Sequence, residues 1–126
     1  LICYFVIDLR KRDKNIRKFI SVIEKTIIDT LKYFKIETYA DKKNIGIWYN
    51  NKNSIEKVAA IGLKVKKWIA YHGFALNISN DLKKYDKINP CGLNSSQITN
   101  LYKIKKQNYK KIRDKLIDSF LINIQN

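Results

Sequence analysis

The chain has 126 residues, of which 45% are apolar, so length and composition predict one globular domain over residues 1–126 and exclude a disordered chain. No apolar run approaches the roughly 18 residues that a membrane-spanning helix needs. The apolar start lacks the basic region and the cleavage site of a signal peptide, so we expect a cytoplasmic location. The formal net charge is +15.

The first predicted elements are a strand and a long helix. The apolar run CYFVIDL predicts a buried strand that ends at Asp8. Apolar residues then recur at helical spacing, which predicts an amphipathic helix from about Asp13 to Phe34. Next, KIETYADKKN predicts a short strand with a turn, and IGIWY predicts another strand. The helical stripe consists of Ile16, Phe19, Ile20, Ile23, Ile27, Leu31 and Phe34.

Two longer strands and a loop follow. EKVAAIGLKV and KWIAYHGFALNIS predict a hairpin that turns near Lys66 and Lys67. The second strand is largely apolar on both faces, which indicates a position inside the sheet. NDLKKYDKINPCGL predicts a loop, and SQITNLYKI a short helix capped by Ser95 or Ser96. One face of the second strand carries Trp68, Ala70, His72, Phe74 and Leu76.

A C-terminal helix completes the predicted fold. The order β-α-β-β-β-β-α indicates an α+β domain, in which helices pack on a mixed or antiparallel sheet. There is no internal repeat and no low-complexity linker. The apolar stripe of this helix is Tyr109, Ile112, Leu116 and Phe120.

The only proline of the chain stands next to one of its two cysteines, in Pro90-Cys91-Gly92. Proline and glycine together fix an unusual backbone path that can aim a reactive side chain into a cleft. Taken alone, Cys91 can equally be a buried, inert thiol. Cys3 is interpreted as a small apolar residue in a strand. Two cysteines so far apart in sequence do not make a disulfide framework.

Four stretches occur in a specific order: GIWY, KVAAIG, HGFALN and PCG. This ordered set resembles the lipoyl(octanoyl) transferase family, and the separation of 34 residues between Lys57 and Cys91 agrees with that family. The resemblance implies the fold of the biotin and lipoate protein ligases. Those ligases use ATP and do not depend on a Pro-Cys-Gly cysteine, so Cys91 favours the transferase over them.

The resemblance also implies a reaction and a site. Cys91 is the nucleophile that takes an octanoyl group from acyl carrier protein as a thioester, and Lys57 favours its thiolate. The acceptors are lysines of the lipoyl domains of 2-oxoacid dehydrogenases and of the glycine cleavage H protein. Neither a metal nor a cofactor is implied, and His72 is expected to position its neighbours without transferring a proton. The implied acyl-binding residues are Ala60, Ile61, Gly62, Gly73, Phe74 and Ala75.

Departures from the family and the high charge leave other interpretations open. The chain has no Met and starts at Leu1, so we expect an N-terminally cut chain without the family's Arg-Gly-Gly…Tyr-His-Gly-Pro-Gly-Gln segment. The family's Thr-Ser-Leu turn is replaced by Thr99-Asn100-Leu101. An inactive remnant is therefore one alternative. A small nucleic-acid-binding module is another alternative. Only four of the 26 basic residues are Arg, however, and the lysines form no dense patch.

Overall fold

The computed structural model of the protein describes residues 1–84 and 97–125. Strands dominate the first of these ranges and helices the second. The strands are β1 (Ile2–Asp8), β2 (Tyr39–Ala40), β3 (Ile47–Asn51), β4 (Ser54–Lys66) and β5 (Ile69–Leu76); the helices are α1 (Ile16–Tyr33), α2 (Leu101–Ile104) and α3 (Ile112–Ile124), with 3₁₀ turns at Leu9–Lys11 and Leu82–Lys84.

The five strands form one antiparallel sheet in the order β1-β5-β4-β3-β2. The predicted α+β class is thus confirmed in its antiparallel form, and β5 lies inside the sheet as predicted. Lys66 pairs with Ile69, so the β4–β5 hairpin turns through Lys67 and Trp68. Both turn residues have positive φ values, 51° and 65°, which suits the twist of a two-residue hairpin.

Helices α1 and α3 cover one face of this sheet. The side chain of Asn15 accepts a hydrogen bond from the Lys18 N–H at 3.0 Å, and this cap starts α1 at Ile16. The ring centroid of Phe5 lies 5.2 Å from that of Phe19 in α1 and 6.2 Å from that of Phe120 in α3. The predicted stripes are therefore the core-facing ones. Their buried members are Phe19, Ile23, Ile27, Leu31, Phe34, Tyr109, Ile112 and Leu116.

The opposite face of the sheet is open within the described residues. On β1, Ile2, Tyr4 and Val6 are 62%, 74% and 75% exposed. The intervening residues of the strand pack against the core, as the two-residue period of a strand requires. The prediction that this strand is buried is therefore wrong for one of its faces: β1 is an edge strand, and it presents apolar side chains on the face that the helices leave uncovered.

His72 departs from the predicted alternation of β5. The pattern places it on the covered face with Ala70, Phe74 and Leu76, and those three are buried. His72 is exposed instead, and its φ of 72° turns the side chain out of the regular strand alternation. Trp68 belongs to the hairpin turn and is also exposed. The predicted face therefore holds three of its five members.

The short helix α2 begins later than the sequence pattern predicts. Its cap is Asn100, whose side-chain oxygen accepts a hydrogen bond from the Lys103 N–H at 2.8 Å. The predicted caps, Ser95 and Ser96, lie outside the described residues. Asn is one of the residues preferred at an N-cap, so Asn100 of Thr99-Asn100-Leu101 suits the start of this helix.

Tyr109 connects α2 to the start of α3. Its hydroxyl donates to the carbonyl oxygens of Leu101 at 3.1 Å and Lys105 at 2.5 Å, and burial raises the pKa of this phenol. The Leu101 carbonyl also accepts the Lys105 N–H at 2.8 Å, whereas the Lys105 carbonyl lies just past the end of α2. Among the described ranges, no helix has both the length and the apolar character needed to cross a membrane.

Candidate active site

Lys57 is buried inside the sheet. It lies in β4 opposite Trp48 of β3, and only 8% of its surface is exposed. Its Nζ lies 5.6 Å from the centroid of the Trp48 ring, within the range of a cation–π interaction. Lysine is rarely buried to this extent, because removing an ammonium group from water is costly. Lys57 is therefore not one of the solvated lysines of the surface.

The chain on both sides of residues 85–96 returns to β4 beside Lys57. Thr99 donates its backbone N–H to the Lys57 carbonyl at 2.9 Å, and Asn77 donates its own to the Val58 carbonyl at 3.0 Å. The side-chain amide of Asn77 donates to the Thr99 carbonyl at 3.2 Å. The two flanking segments are therefore bonded to adjacent residues of β4 and to each other.

Cys91 lies outside the described residues, as do Pro90 and Gly92. The expected approach of its thiol to the Lys57 ammonium thus stays a prediction. Thr99, which follows Cys91 by eight positions in the sequence, is the residue hydrogen-bonded to the Lys57 carbonyl. The segment that follows residues 85–96 is therefore hydrogen-bonded directly to Lys57.

Two polar residues at this junction, Asn77 and Asn100, were not among the predicted site residues. The Asn77 side-chain oxygen accepts from Asn80 Nδ2 at 3.1 Å, and Asn100 Nδ2 donates to the Asn80 carbonyl at 3.1 Å. The sequence carried a signal for the first, because Asn77 closes the HGFALN stretch. Both side chains tie the end of β5 to the start of α2 and so define the geometry around Lys57.

Small residues form the floor of a depression on the open face of the sheet. Ala60 pairs with Ala75, and Gly62 pairs with Gly73, so two successive pairs on this face carry almost no side-chain bulk. The depression has a volume of about 430 Å³ and is lined mostly by apolar side chains. Its lining also includes Phe74, and the walls come from Ile2, Cys3, Tyr4, Leu63, Lys64 and His72.

Five of the six predicted acyl-binding residues thus line the depression, and Ile61 does not. One of the five, Phe74, has its side chain buried in the core. Ile61 packs against the helix-covered core instead. Because side chains alternate along β4, the neighbours of Ala60 and Gly62 point to the other face. The KVAAIG stretch therefore divides between the core and the open face.

The Cys3 thiol contrasts with what a reactive cysteine requires. Cys3 is half-buried in β1, and its carbonyl oxygen lies only 1.9 Å from where a Cβ on Gly73 would be. Burial raises the pKa of its thiol, which disfavours the thiolate. This agrees with its interpretation as an apolar strand residue. The described residues also contain no group of three or more His, Cys, Asp or Glu side chains that could hold a metal ion.

Comparisons with known proteins place this geometry among related folds. The family described as lipoyl protein ligase A/B catalytic domain matches residues 1–121. An octanoyltransferase of Rickettsia prowazekii (strain Madrid E) is 48% identical over 94 residues, which are 74% of this chain and 45% of that protein. An octanoyltransferase of Zymomonas mobilis is 38% identical over 118 residues, which are 93% of this chain and 55% of that protein.

A solved structure with the same fold is a biotin protein ligase from Aquifex aeolicus. It aligns over 97% of this chain and 51% of its own, with a TM-score of 0.72 at 15% sequence identity. The predicted ligase-like fold and the resemblance to lipoyl(octanoyl) transferases are both confirmed. The chain spans about half the length of the curated relatives it matches.

Proposed function

Because the chain belongs to the lipoyl protein ligase A/B catalytic domain family, as the match over residues 1–121 shows, we propose that it carries the catalytic residues of an octanoyltransferase. Cys91 accepts an octanoyl group from acyl carrier protein and passes it to a lysine of a lipoyl domain. The observation that carries this proposal is the burial of Lys57 at the point where both flanks of residues 85–96 bond to β4.

The proposed reaction has two acyl-transfer steps. The Cys91 thiolate attacks the thioester carbonyl of octanoyl-acyl carrier protein, and the carrier's thiol leaves after taking up the proton that Cys91 gave up. The neutral amine of the acceptor lysine then attacks the new thioester, forms an amide and releases the Cys91 thiol. One thioester replaces another in the first step, and the more stable amide drives the second, so no ATP is required.

Lys57 assists the first step by its charge. A thiol with a pKa of about 8.5 is only a few per cent ionised near neutral pH, and a nearby ammonium increases the thiolate fraction. The attraction is strong because Lys57 is withdrawn from water, which would otherwise screen its charge. The same arrangement thus buries the lysine and activates the cysteine.

The depression on the open face is the proposed site for the octanoyl chain. Its floor of Ala60, Gly62, Gly73 and Ala75 leaves room for an alkyl chain to lie along the strands. Lys57 and Ala60 lie three residues apart on the same strand, so the floor begins close to the lysine. Ile61 supports this floor from the covered side.

The acceptors are lysines of lipoyl domains in 2-oxoacid dehydrogenases and in the glycine cleavage H protein, and the reaction takes place in the cytoplasm. The net charge of +15 complements acyl carrier protein, which is acidic as a class. Electrostatic attraction of this kind speeds association and weakens with salt.

Incubation with octanoyl-acyl carrier protein followed by mass spectrometry of peptides tests the proposal. We expect one octanoyl group on Cys91, none on Cys3, and transfer of that group to an added lipoyl domain. Cys91→Ser abolishes the adduct because a serine hydroxyl is far less acidic, whereas Cys3→Ser retains it. Absence of an adduct on Cys91 in the folded protein, or equal labelling of the two cysteines, contradicts the proposal and favours an inactive remnant.

A further inference from the structure

The GIWY stretch identifies the family, but the proposed chemistry assigns it no role. It forms the start of β3, directly opposite Lys57. Ile47 pairs with Ala59 and Trp48 pairs with Lys57, so the register shifts by one residue at this point. The shift is a bulge that changes the direction of side chains in β4. Lys57 therefore lies at an irregularity of the sheet, and β3 provides its surroundings.

Gly46 lies just before β3, at the point where the Lys57 side chain passes this neighbouring segment. A Cβ at position 46 would lie 2.4 Å from Lys57 Cε and 3.3 Å from Nζ. To reach ordinary van der Waals separation, Cε would have to move by about 1 Å. Gly46 also has a φ of 143°, which side-chain-bearing residues rarely adopt. The absence of a side chain at position 46 thus leaves the space that the lysine stem fills.

Trp48 bounds the ammonium group on another side, and its own orientation is fixed. The ring is buried, and its Nε1–H donates to the Asn44 carbonyl at 2.9 Å. Asp41 fixes the turn that carries this carbonyl, since its carboxylate accepts bonds from the Lys43 N–H at 2.9 Å and from Asn44 Nδ2 at 3.2 Å. The indole therefore cannot rotate without breaking a bond to an ordered turn.

We infer that Gly46 and Trp48 are positioning residues, which together hold the Lys57 ammonium in one place. Gly46 provides the space for the side-chain stem, and the indole of Trp48 attracts the cationic end. The consequence for acyl transfer rests on the proposed function, whereas the placement of the side chain does not. The two parts are therefore tested by separate measurements on the same set of variants.

NMR of protein labelled with ¹³C at lysine Cε tests the placement. Lys57→Arg identifies the Lys57 signal, which the Trp48 ring current shifts away from the signals of exposed lysines. We expect Gly46→Ala to move this signal and Trp48→Leu to return it to the exposed range, while Trp48→Phe retains part of the shift. Gly62→Ala is the matched control, because a Cβ there meets no atom within 4 Å.

A Lys57 signal unchanged in both Gly46→Ala and Trp48→Leu overturns the inference. If Gly46→Ala fails to fold, as judged by circular dichroism, the comparison of Trp48→Leu with Trp48→Phe decides the matter alone. Equal signals in those two variants count against the inference, and different signals support it.

A double-mutant cycle in the acylation assay tests the consequence. Because a displacement of about 1 Å can cost on the order of 100-fold in rate, Gly46→Ala should slow formation of the Cys91 adduct by up to that factor. In a Lys57→Ala background the same substitution should slow the reaction much less, because the part of its effect that acts through the lysine is then absent. An equal loss in both backgrounds overturns the inference. If no protein forms an adduct, the proposed function fails while the NMR result still decides the placement.

Discussion

The two faces of the sheet differ in what lies on them and in the size of their side chains. On the covered face, the helices bury a continuous layer of large apolar residues, and Ile23, Ile27 and Leu31 have no exposed surface. On the open face, a floor of alanines and glycines lies beside the exposed Ile2 and Tyr4 of β1. The covered face concentrates packing energy, and the open face leaves space for a ligand. Stability and the proposed acyl binding thus fall on opposite sides of the same strands.

The largest expected effect comes from making the same change, Ile to Ala, on each face of the sheet. Ile47→Ala, in β3, removes a fully buried side chain and should lower the free energy of unfolding by about 2–5 kcal/mol. Ile2→Ala, in β1, should change it by less than about 0.5 kcal/mol, because that side chain is mostly exposed. Urea unfolding followed by circular dichroism measures both. Similar losses would show that the open face contributes to stability as the core does.

A pair of glycines on the open face allows a comparison of two substitutions by their effect on stability. Gly62 and Gly73 are cross-strand partners, yet a Cβ on Gly73 would lie 1.9 Å from the Cys3 carbonyl oxygen, whereas one on Gly62 meets nothing within 4 Å. Gly73→Ala should cost about 1–3 kcal/mol by forcing β1 away from β5. Gly62→Ala should be neutral or stabilise the protein by up to about 1 kcal/mol. The same unfolding measurement decides, and a larger loss for Gly62→Ala would refute this account of the floor.

The smallest expected effect is electrostatic and concerns the exposed end of β1. Two hydrogen bonds from the Arg10 guanidinium to the Asp8 carboxylate, at 3.0 and 2.9 Å, lower the pKa of that carboxyl from 3.8 to about 2. A folded-state pKa below the unfolded value means that this stabilisation is present above about pH 4. It is lost as the pH falls from there towards 2.

Melting temperatures between pH 5 and pH 2 test this for the wild type, Asp8→Asn and Arg10→Gln. In both variants the melting temperature should fall less between pH 5 and pH 2, because the contribution of the Asp8–Arg10 pair is absent. The difference should be small because the pair is exposed to solvent. A decline unchanged in Asp8→Asn would show that other carboxylates account for it.

The elements and their order were predictable because they depend on local periodicity. The stripe from Phe19 to Leu31 is a property of consecutive residues. The exposure of alternate residues in β1 was missed, because the unbroken apolar run predicted a buried strand. The choice between a mixed and an antiparallel sheet was left open, because the pairing of β1 with β5 joins segments that are far apart in the sequence. The position of β5 inside the sheet followed from its apolar residues on both faces.

The surroundings of the candidate site were less predictable because they depend on contacts between distant residues. The burial of Lys57 arises where Trp48 and the segment after Gln97 both meet β4, and no local pattern encodes that meeting. The motif resemblance also treated KVAAIG as one unit, although strand alternation divides Ile61 from Ala60. His72 was misplaced because its positive φ interrupts the alternation that the prediction assumed.

We propose that the buried Lys57 ammonium favours the Cys91 thiolate. The most direct test of this proposal is the rate of single-turnover octanoylation of Cys91 in the wild type and in Lys57→Ala, measured from about pH 6.5 to about pH 9.5. A thiol with a pKa of about 8.5 ionises unaided at the upper end of this range. The account therefore predicts that Lys57→Ala slows acylation most near neutral pH and progressively less as the pH rises. Slowing by the same factor at every pH would contradict it and assign Lys57 to the orientation of the substrate instead.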